Sequence, residues 1–195
     1  MLTWSDSFAT KIESVDLQHR ILFDLLNKLA DCFAQGGPDR PIVNDTLQEL
    51  FAYADKHFVD EELLMIHNKL DLRHINLHRM EHKSFIYDTK SMWEHLFTEE
   101  DLAEVSEKLV RFITSWLTFH ILGIDQAMAA QIFAIQQGAT PAQAYEAKNT
   151  RKYDSTVTHL MLNSVLDLWH MSLERCHKLE EKLAALNPDA ANDHG

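Results

Sequence analysis

The chain has 195 residues, in which 18 Lys and Arg against 30 Asp and Glu leave a formal charge of −12. That length suits one domain, or one domain with an appendage, and is enough to bury a core without disulfide staples. Gly 5 and Pro 4 are too few for the tight turns of an all-β sandwich, the acidic balance argues against nucleic-acid binding, and 12 histidines stand out. Two cysteines, Cys32 and Cys176, cannot build a disulfide scaffold and point to a reducing cytoplasm. Each reads as a small core residue rather than a reactive thiol. The N-terminal residues lack the basic start and apolar run of a secretion signal. No apolar stretch approaches the roughly 20 residues of a membrane span. Neither membrane nor nucleic acid is expected as a partner.

In chain order, the first helical pattern runs from about Leu17 to Phe33, with Leu22, Leu25, Leu26, Leu29 and Phe33 on one face. It stops at Gln35-Gly36-Gly37-Pro38. The second follows Pro41 to about His67 and carries Leu47, Leu50, Phe51, Ala54 and Phe58. The third covers about Leu72 to Leu96, and the fourth Glu100 to Ile124 or beyond. Short connections between long amphipathic helices predict an all-α, up-down-up-down four-helix bundle. Helical sequence continues to Gln137, breaks at Gly138, and restarts at Thr140-Pro141, a cap followed by proline at the first helical position. Residues 1–137 are thus expected to form the bundle, and residues 138–195 a C-terminal helical extension. In that extension Val165, Trp169, Ser172, Cys176, Leu179, Leu183 and Leu186 alternate at spacings of four and three. This is a short heptad seam, suited either to a homodimer or to packing on the bundle. The polar tail Asn187–Gly195 reads as a frayed end.

Every helix of the bundle carries metal-ligand residue types. His57 and Glu61 are four apart on the second helix, and His78 and His82 four apart on the third. His120 and Asp125 are five apart at the end of the fourth, and His19 sits near the start of the first. Residues four apart stack on one helix face. Five apart spans about 500°, within reach if the aspartate leans in from the next turn. Five imidazoles and two carboxylates over-supply one ion and fit two ions with bridging carboxylates. Such donors suit iron, zinc, copper or nickel, whereas magnesium or calcium would want more oxygen. One such pair alone is ordinarily a solvated surface feature. Three pairs on successive helices, with a further histidine on the first, would bury many polar groups at a cost only a ligand offsets.

The stretches Val15-Asp16-Leu17-Gln18-His19, His57-Phe58-x-x-Glu61-Glu62-x-x-Met65, His78-x-x-x-His82-x-x-Phe85 and Trp116-x-x-x-His120-x-x-x-x-Asp125 resemble the hemerythrin family over about residues 4–128. The resemblance implies two non-haem iron ions with an oxo or hydroxo bridge. His78, His82 and His120 would hold one iron, His19 and His57 the other, and Glu61 and Asp125 would bridge. The iron with two histidines keeps an open position, where dioxygen would bind. Leu22, Phe58, Trp116 and Ile121 are expected to line that dry pocket, with Met128 where many relatives place an aromatic residue, loosening the wall. His74 and His67 are expected at the surface or behind the ligands. His95, His159, His170, His177 and His194 read as solvated helix positions.

Three functions fit. The first is an oxygen or redox sensor whose C-terminal helix transmits the state of the site. Residues Gln131–Tyr145 resemble bacterial hemerythrin domains fused to GGDEF diguanylate cyclases. No GGDEF motif occurs here, so the expected output domain would lie elsewhere in a longer protein and these residues would not themselves be an enzyme. The second is a dioxygen carrier, store or scavenger. The third is a di-iron oxidase or peroxidase, disfavoured because no further acid or base residues accompany the ligands.

Overall fold

The computed structural model describes residues 2–34, 40–96, 102–147 and 154–186. Among them the regular structure is helical throughout. A 3-10 turn at Asp6–Phe8 precedes α1 (Glu13–Ala34), α2 (Arg40–His67), α3 (Leu72–Leu96) and α4 (Leu102–Phe119). A π-helical turn, His120–Asp125, leads directly into α5 (Gln126–Gln136). Short α6 (Pro141–Ala147) and long α7 (Ser155–Leu186) follow. The expected loop at 35–38, the start of the fourth helix at Glu100, the side chain of His95, and the tail with His194 lie outside the described residues.

Local chemistry sets the ends. The Asp16 carboxylate accepts bonds from the Thr10 N–H and Oγ1–H, both at 2.7 Å, and from the Lys11 N–H at 3.1 Å. That brace holds Lys11 at φ 67° and aims the chain into α1. α2 ends where Lys69 turns left-handed at φ 55°; the Leu70 N–H reaches Met65 O at 3.1 Å and the Lys69 N–H reaches Ile66 O at 3.0 Å. This paired closure brings α3 back antiparallel. The same pattern ends α5 at Gly138, whose φ of 98° suits glycine. Thr140 and Gln143 then exchange bonds to each other's backbone N–H, a reciprocal cap that starts α6.

Two apolar clusters fill the bundle. The larger contains Leu22, Leu26, Leu29, Leu47, Phe58, Phe85, Leu109, Ile113, Trp116 and Ile121 among others. The smaller joins Val15, Met65, Leu70, Ile75, Met128 and Ile132. Val15 precedes Leu22 along α1, Phe58 precedes Met65 along α2, Ile75 precedes Phe85 along α3, and Trp116 precedes Met128 along the fourth helix. The direction reverses at every step, so the bundle runs up-down-up-down as expected.

The π turn supplies what the five-residue spacing of His120 and Asp125 left unexplained. The Gln126 N–H bonds Ile121 O, five residues back, so the turn is wider than an α turn and brings both side chains to one face. No lean of the aspartate is needed. The continuous helix Val105–Gln136 is also long and apolar enough, by length and composition, to meet the criterion for a membrane span, contrary to the expectation that no stretch would. Here it is a core helix of the bundle, mostly buried and carrying two of the seven polar side chains discussed below.

The extension packs on the bundle. α6 lies against α5, and α7 runs along α4. Val157 and Ser164 are buried there, and Leu160, Met161 and Leu168 press on the larger cluster. Arg111 pairs with Asp167, Lys108 with Glu174 at 3.4 Å, and Arg175 with Asp88 at 2.7 Å. The heptad seam flanks that inner face: Trp169 is 58 % and Leu183 62 % exposed, while Ser172 and Leu179 border a cavity between α7 and the bundle. Cys176, on that seam, is exposed rather than a core residue, and Cys32 is half-buried beside Thr46.

Leu29→Ala, deep in the larger cluster, should lower the unfolding free energy of metal-free protein by about 2–5 kcal/mol in urea titration.

Candidate metal centre

Between the two apolar clusters lies a polar layer built from all four bundle helices. His19 comes from α1, His57 and Glu61 from α2, His78 and His82 from α3, and His120 and Asp125 from the two ends of the π turn. Each of the seven is at most 2 % exposed. Their donor atoms fall into two groups that share Glu61: Glu61, His78, His82 and His120 in one, His19, His57 and Glu61 in the other, each within 4.8 Å. Asp125 reaches both groups, with its oxygens 3.1 Å from the Nε2 atoms of His19, His78 and His120. Glu61 lies 3.4 Å from the Nε2 of His78 and of His82, 3.6 Å from His57 and 3.8 Å from His19.

These short separations are not aligned as hydrogen bonds. His19 Nε2 and both oxygens of Glu61 and of Asp125 are buried without a hydrogen-bond partner. A folded protein rarely orphans so many buried acceptors, because each left alone costs about 1–3 kcal/mol or more. His78 and His82 Nε2 each lie in hydrogen-bond contact with His120 Nε2, at 3.1 and 3.2 Å, but the carboxylate oxygens converge on shared points without protons between them, as cations there would require. The donor set therefore fits two metal ions with the two carboxylates between them.

The charge balance says the same. Burial and the neighbouring Asp125 charge push Glu61 up, but the imidazoles of His57, His78 and His82 outweigh them and hold it below the usual carboxylate range. Burial likewise opposes ionisation of Asp125, yet contacts from His120, His19 and His78 keep it well below its ordinary value. Burial also works against charge on the histidines. At His78 the close approach and charge of Asp125 and Glu61 overcome it and raise the imidazole to about 10. His19 is raised for the same reason, chiefly by Asp125. At His57 and His82 burial wins, taking His82 down to about 4.

Supporting residues hold the donors in place, and the reading of the sequence had missed them. Gln18 Oε1 lies 2.9 Å from His57 Nδ1, while its Nε2 donates to Asp60 at 2.7 Å, itself 3.2 Å from Lys56 Nζ. Accepting at Oε1 fixes the proton on Nδ1 and leaves His57 Nε2 free as a ligand atom. Gln18 adjoins His19 in sequence, but only the pairing of α1 with α2 puts it against His57. Trp4, in the N-terminal arm, closes over His19 at 6.4 Å and stacks edge-on to Phe23 at 5.6 Å. Leu22, Phe58, Trp116 and Ile121 are buried in the larger cluster. Phe58 stacks on His82 at 3.8 Å and Trp116 on His120 at 4.2 Å, both nearly parallel. Met128 departs from the expected pocket wall: it sits in the smaller cluster, on the opposite side of the polar layer, because α5 continues past Asp125 toward Val15 and Met65. His74 is buried beside His78, with ring centres 5.5 Å apart, rather than at the surface; His67 is exposed. His159, His170 and His177 are exposed, as expected.

Residues 10–132 match the family described as Hemerythrin HHE cation binding domain. The chain belongs to the hemerythrin family. It is 31 % identical over 134 residues to a bacteriohemerythrin of Stenotrophomonas maltophilia, covering 69 % of this chain and 83 % of that protein. It is 31 % identical over 127 residues to the bacteriohemerythrin of Methylococcus capsulatus, covering 65 % and 92 %. A myohemerythrin of Theromyzon tessulatum is 27 % identical over 122 residues, covering 63 % of this chain and 86 % of that one. No solved structure matches the chain significantly. As a hemerythrin-family domain, the bundle is a non-haem di-iron, dioxygen-binding module, and the polar layer is where its residues fit that centre.

Two predictions follow from the layer. His120→Ala should lower bound iron from two ions per chain to one or none, read by metal analysis, and should depress the melting temperature of protein prepared with iron. Metal-free protein should be most stable near pH 6.5. Below that value the unfolded chain takes up protons that folded His57, His82, Glu61 and Asp125 resist, so stability falls on acidification. Above it the folded state holds protons on His19 and His78 that the unfolded chain has lost, so stability falls again as pH rises toward 10. Urea midpoints between pH 4 and 9 should trace this dome.

Proposed function

We propose that this domain is a cytoplasmic oxygen or redox sensor, in which residues 1–137 bind dioxygen at the di-iron centre and the C-terminal extension carries the signal onward. Iron held in the layer supplies the electrons that reversible dioxygen binding draws on. The chain's own residues do the rest. His19 and His57, which with Glu61 form the group with fewer donors, would hold the iron at which the small molecule binds. Leu22, Phe58, Trp116 and Ile121 keep the surroundings dry, and Gln18 and the stacked rings hold the imidazoles in register.

The observation that carries the sensor reading is the seat of α7 on the π turn. A Cβ added to Gly123, inside the turn that holds His120 and Asp125, would meet the Met161 side chain of α7 at 3.3 Å. In this reading a change of position at these two ligands is passed through the turn to Met161. The flank of α7 displays Val165, Trp169, Leu183 and Leu186 to solvent, a surface for a homodimer or for an output domain such as a diguanylate cyclase. An oxygen carrier or scavenger needs none of this, although it would use the same centre. We assign no catalytic reaction to these residues; a di-iron oxidase or peroxidase is the third reading.

Iron-loaded protein in its oxidised and reduced states should differ in amide exchange along α7 and in association state. Met161→Ala should keep two irons per chain while shrinking that difference. Identical behaviour in both redox states would favour the carrier.

A further inference from the structure

α7 does not seal against the bundle along its whole length. Beyond Leu168 it bridges a cavity of about 560 Å³ between itself and the α3–α4 face, within the roughly 300–1,000 Å³ range of small-molecule sites. Phe112 and Trp116 form the wall contributed by α4, and Leu168 and Met171 the wall contributed by α7. α7 runs antiparallel to α4: Asp167 pairs with Arg111 while Glu174, further along, pairs with Lys108. The cavity therefore extends from Trp116, near the metal layer, toward Lys178 and Lys182 at its far end. From Leu168 to Lys182 the helix advances roughly 21 Å.

The charges along this space are uneven. Lys108 and Arg175 are matched by Glu174 and Asp88. Lys178 and Lys182, one helical turn apart, have no ion pair among the described residues. Within the lining they are the two cations not matched by a lining carboxylate, so that end of the trough carries two ammonium groups. Glu81 lines the end nearest Trp116 and disfavours an anion there.

We propose that this cavity binds a long-chain monocarboxylate, with its alkyl chain along Phe112, Leu168 and Met171 and its carboxylate between Lys178 and Lys182. Apolar burial supplies the affinity, and the two ammonium groups set the polarity and orientation. The tail reaches the Trp116 ring, whose other neighbours include the His120 imidazole stacked 4.2 Å away. Occupancy and the metal layer thus share one side chain. The proposal concerns a second site and stands whether the centre senses, carries or reacts with dioxygen.

Calorimetric titration of the iron-loaded chain with dodecanoate, below its micellar range, tests it; dodecanol and dodecyltrimethylammonium are the controls. Dodecanoate should saturate at one molecule per chain and bind at least tenfold tighter than dodecyltrimethylammonium. The exposed double substitution Lys178→Glu/Lys182→Glu should weaken dodecanoate at least tenfold and leave dodecanol unchanged, with helical content and iron intact. Met171→Trp, which fills the trough, should weaken dodecanoate and dodecanol alike. Absence of saturable binding, equal affinity for the cationic amphiphile, or a double variant that binds dodecanoate as well as the parent would overturn the proposal.

Discussion

Five imidazoles and two carboxylates cross this bundle as a continuous polar layer, fully removed from water. Nothing else among the described residues is as expensive to bury, since charge in a low-dielectric interior must be met by opposite charge or given up. The donor set suits cations in that role, and the Glu61 and Asp125 carboxylates also raise the proton affinity of the His19 and His78 imidazoles that face them. The layer needs donors from four directions at one height, and antiparallel helices are the simplest scaffold that delivers them. The apolar clusters above and below it keep water out and leave the donors no partners but each other and an ion.

That demand also accounts for two local irregularities. One is the π turn, an uncommon and less favourable winding that persists because it aims His120 and Asp125 at the same point. The other is the chain from Lys56 through Asp60 and Gln18 to His57, which brings a surface charge pair to bear on the tautomer of a buried ring. Both spend local stability or side-chain freedom on orientation, as metal sites ordinarily do.

The C-terminal helix packs against the turn that carries two of the centre's donors. α7 touches the π turn through Met161, ties itself to α4 by ion pairs, and then leaves both a trough beneath it and an apolar seam on its flank. A helix with two apolar faces of different depth can satisfy the bundle with one and a partner with the other. The inner face is only partly filled, so α7 is held more by its N-terminal half, where Val157 and Ser164 are buried, than by its C-terminal half.

Much of this was legible in the sequence because helices convert spacing directly into geometry. His57 with Glu61 and His78 with His82 share a face at any four-residue separation, and the punctuation at Gly138 and Thr140-Pro141 marks helix ends by backbone chemistry alone. Four helices, their order, the seven converging side chains and the seam of α7 all follow from such local rules. Other features depend on which helix lies beside which. Gln18 supports His57, Trp4 covers His19, and His74 is buried next to His78 only because particular faces meet. Met128 falls on the far side of the layer because α5 continues in the direction the π turn sets. Likewise only the packing of α7 on α4 decides that Trp169 and Leu183 of the seam stay exposed while Ser172 and Leu179 border the trough. Periodicity says which residues share a stripe; only the packed neighbours decide which stripe is covered.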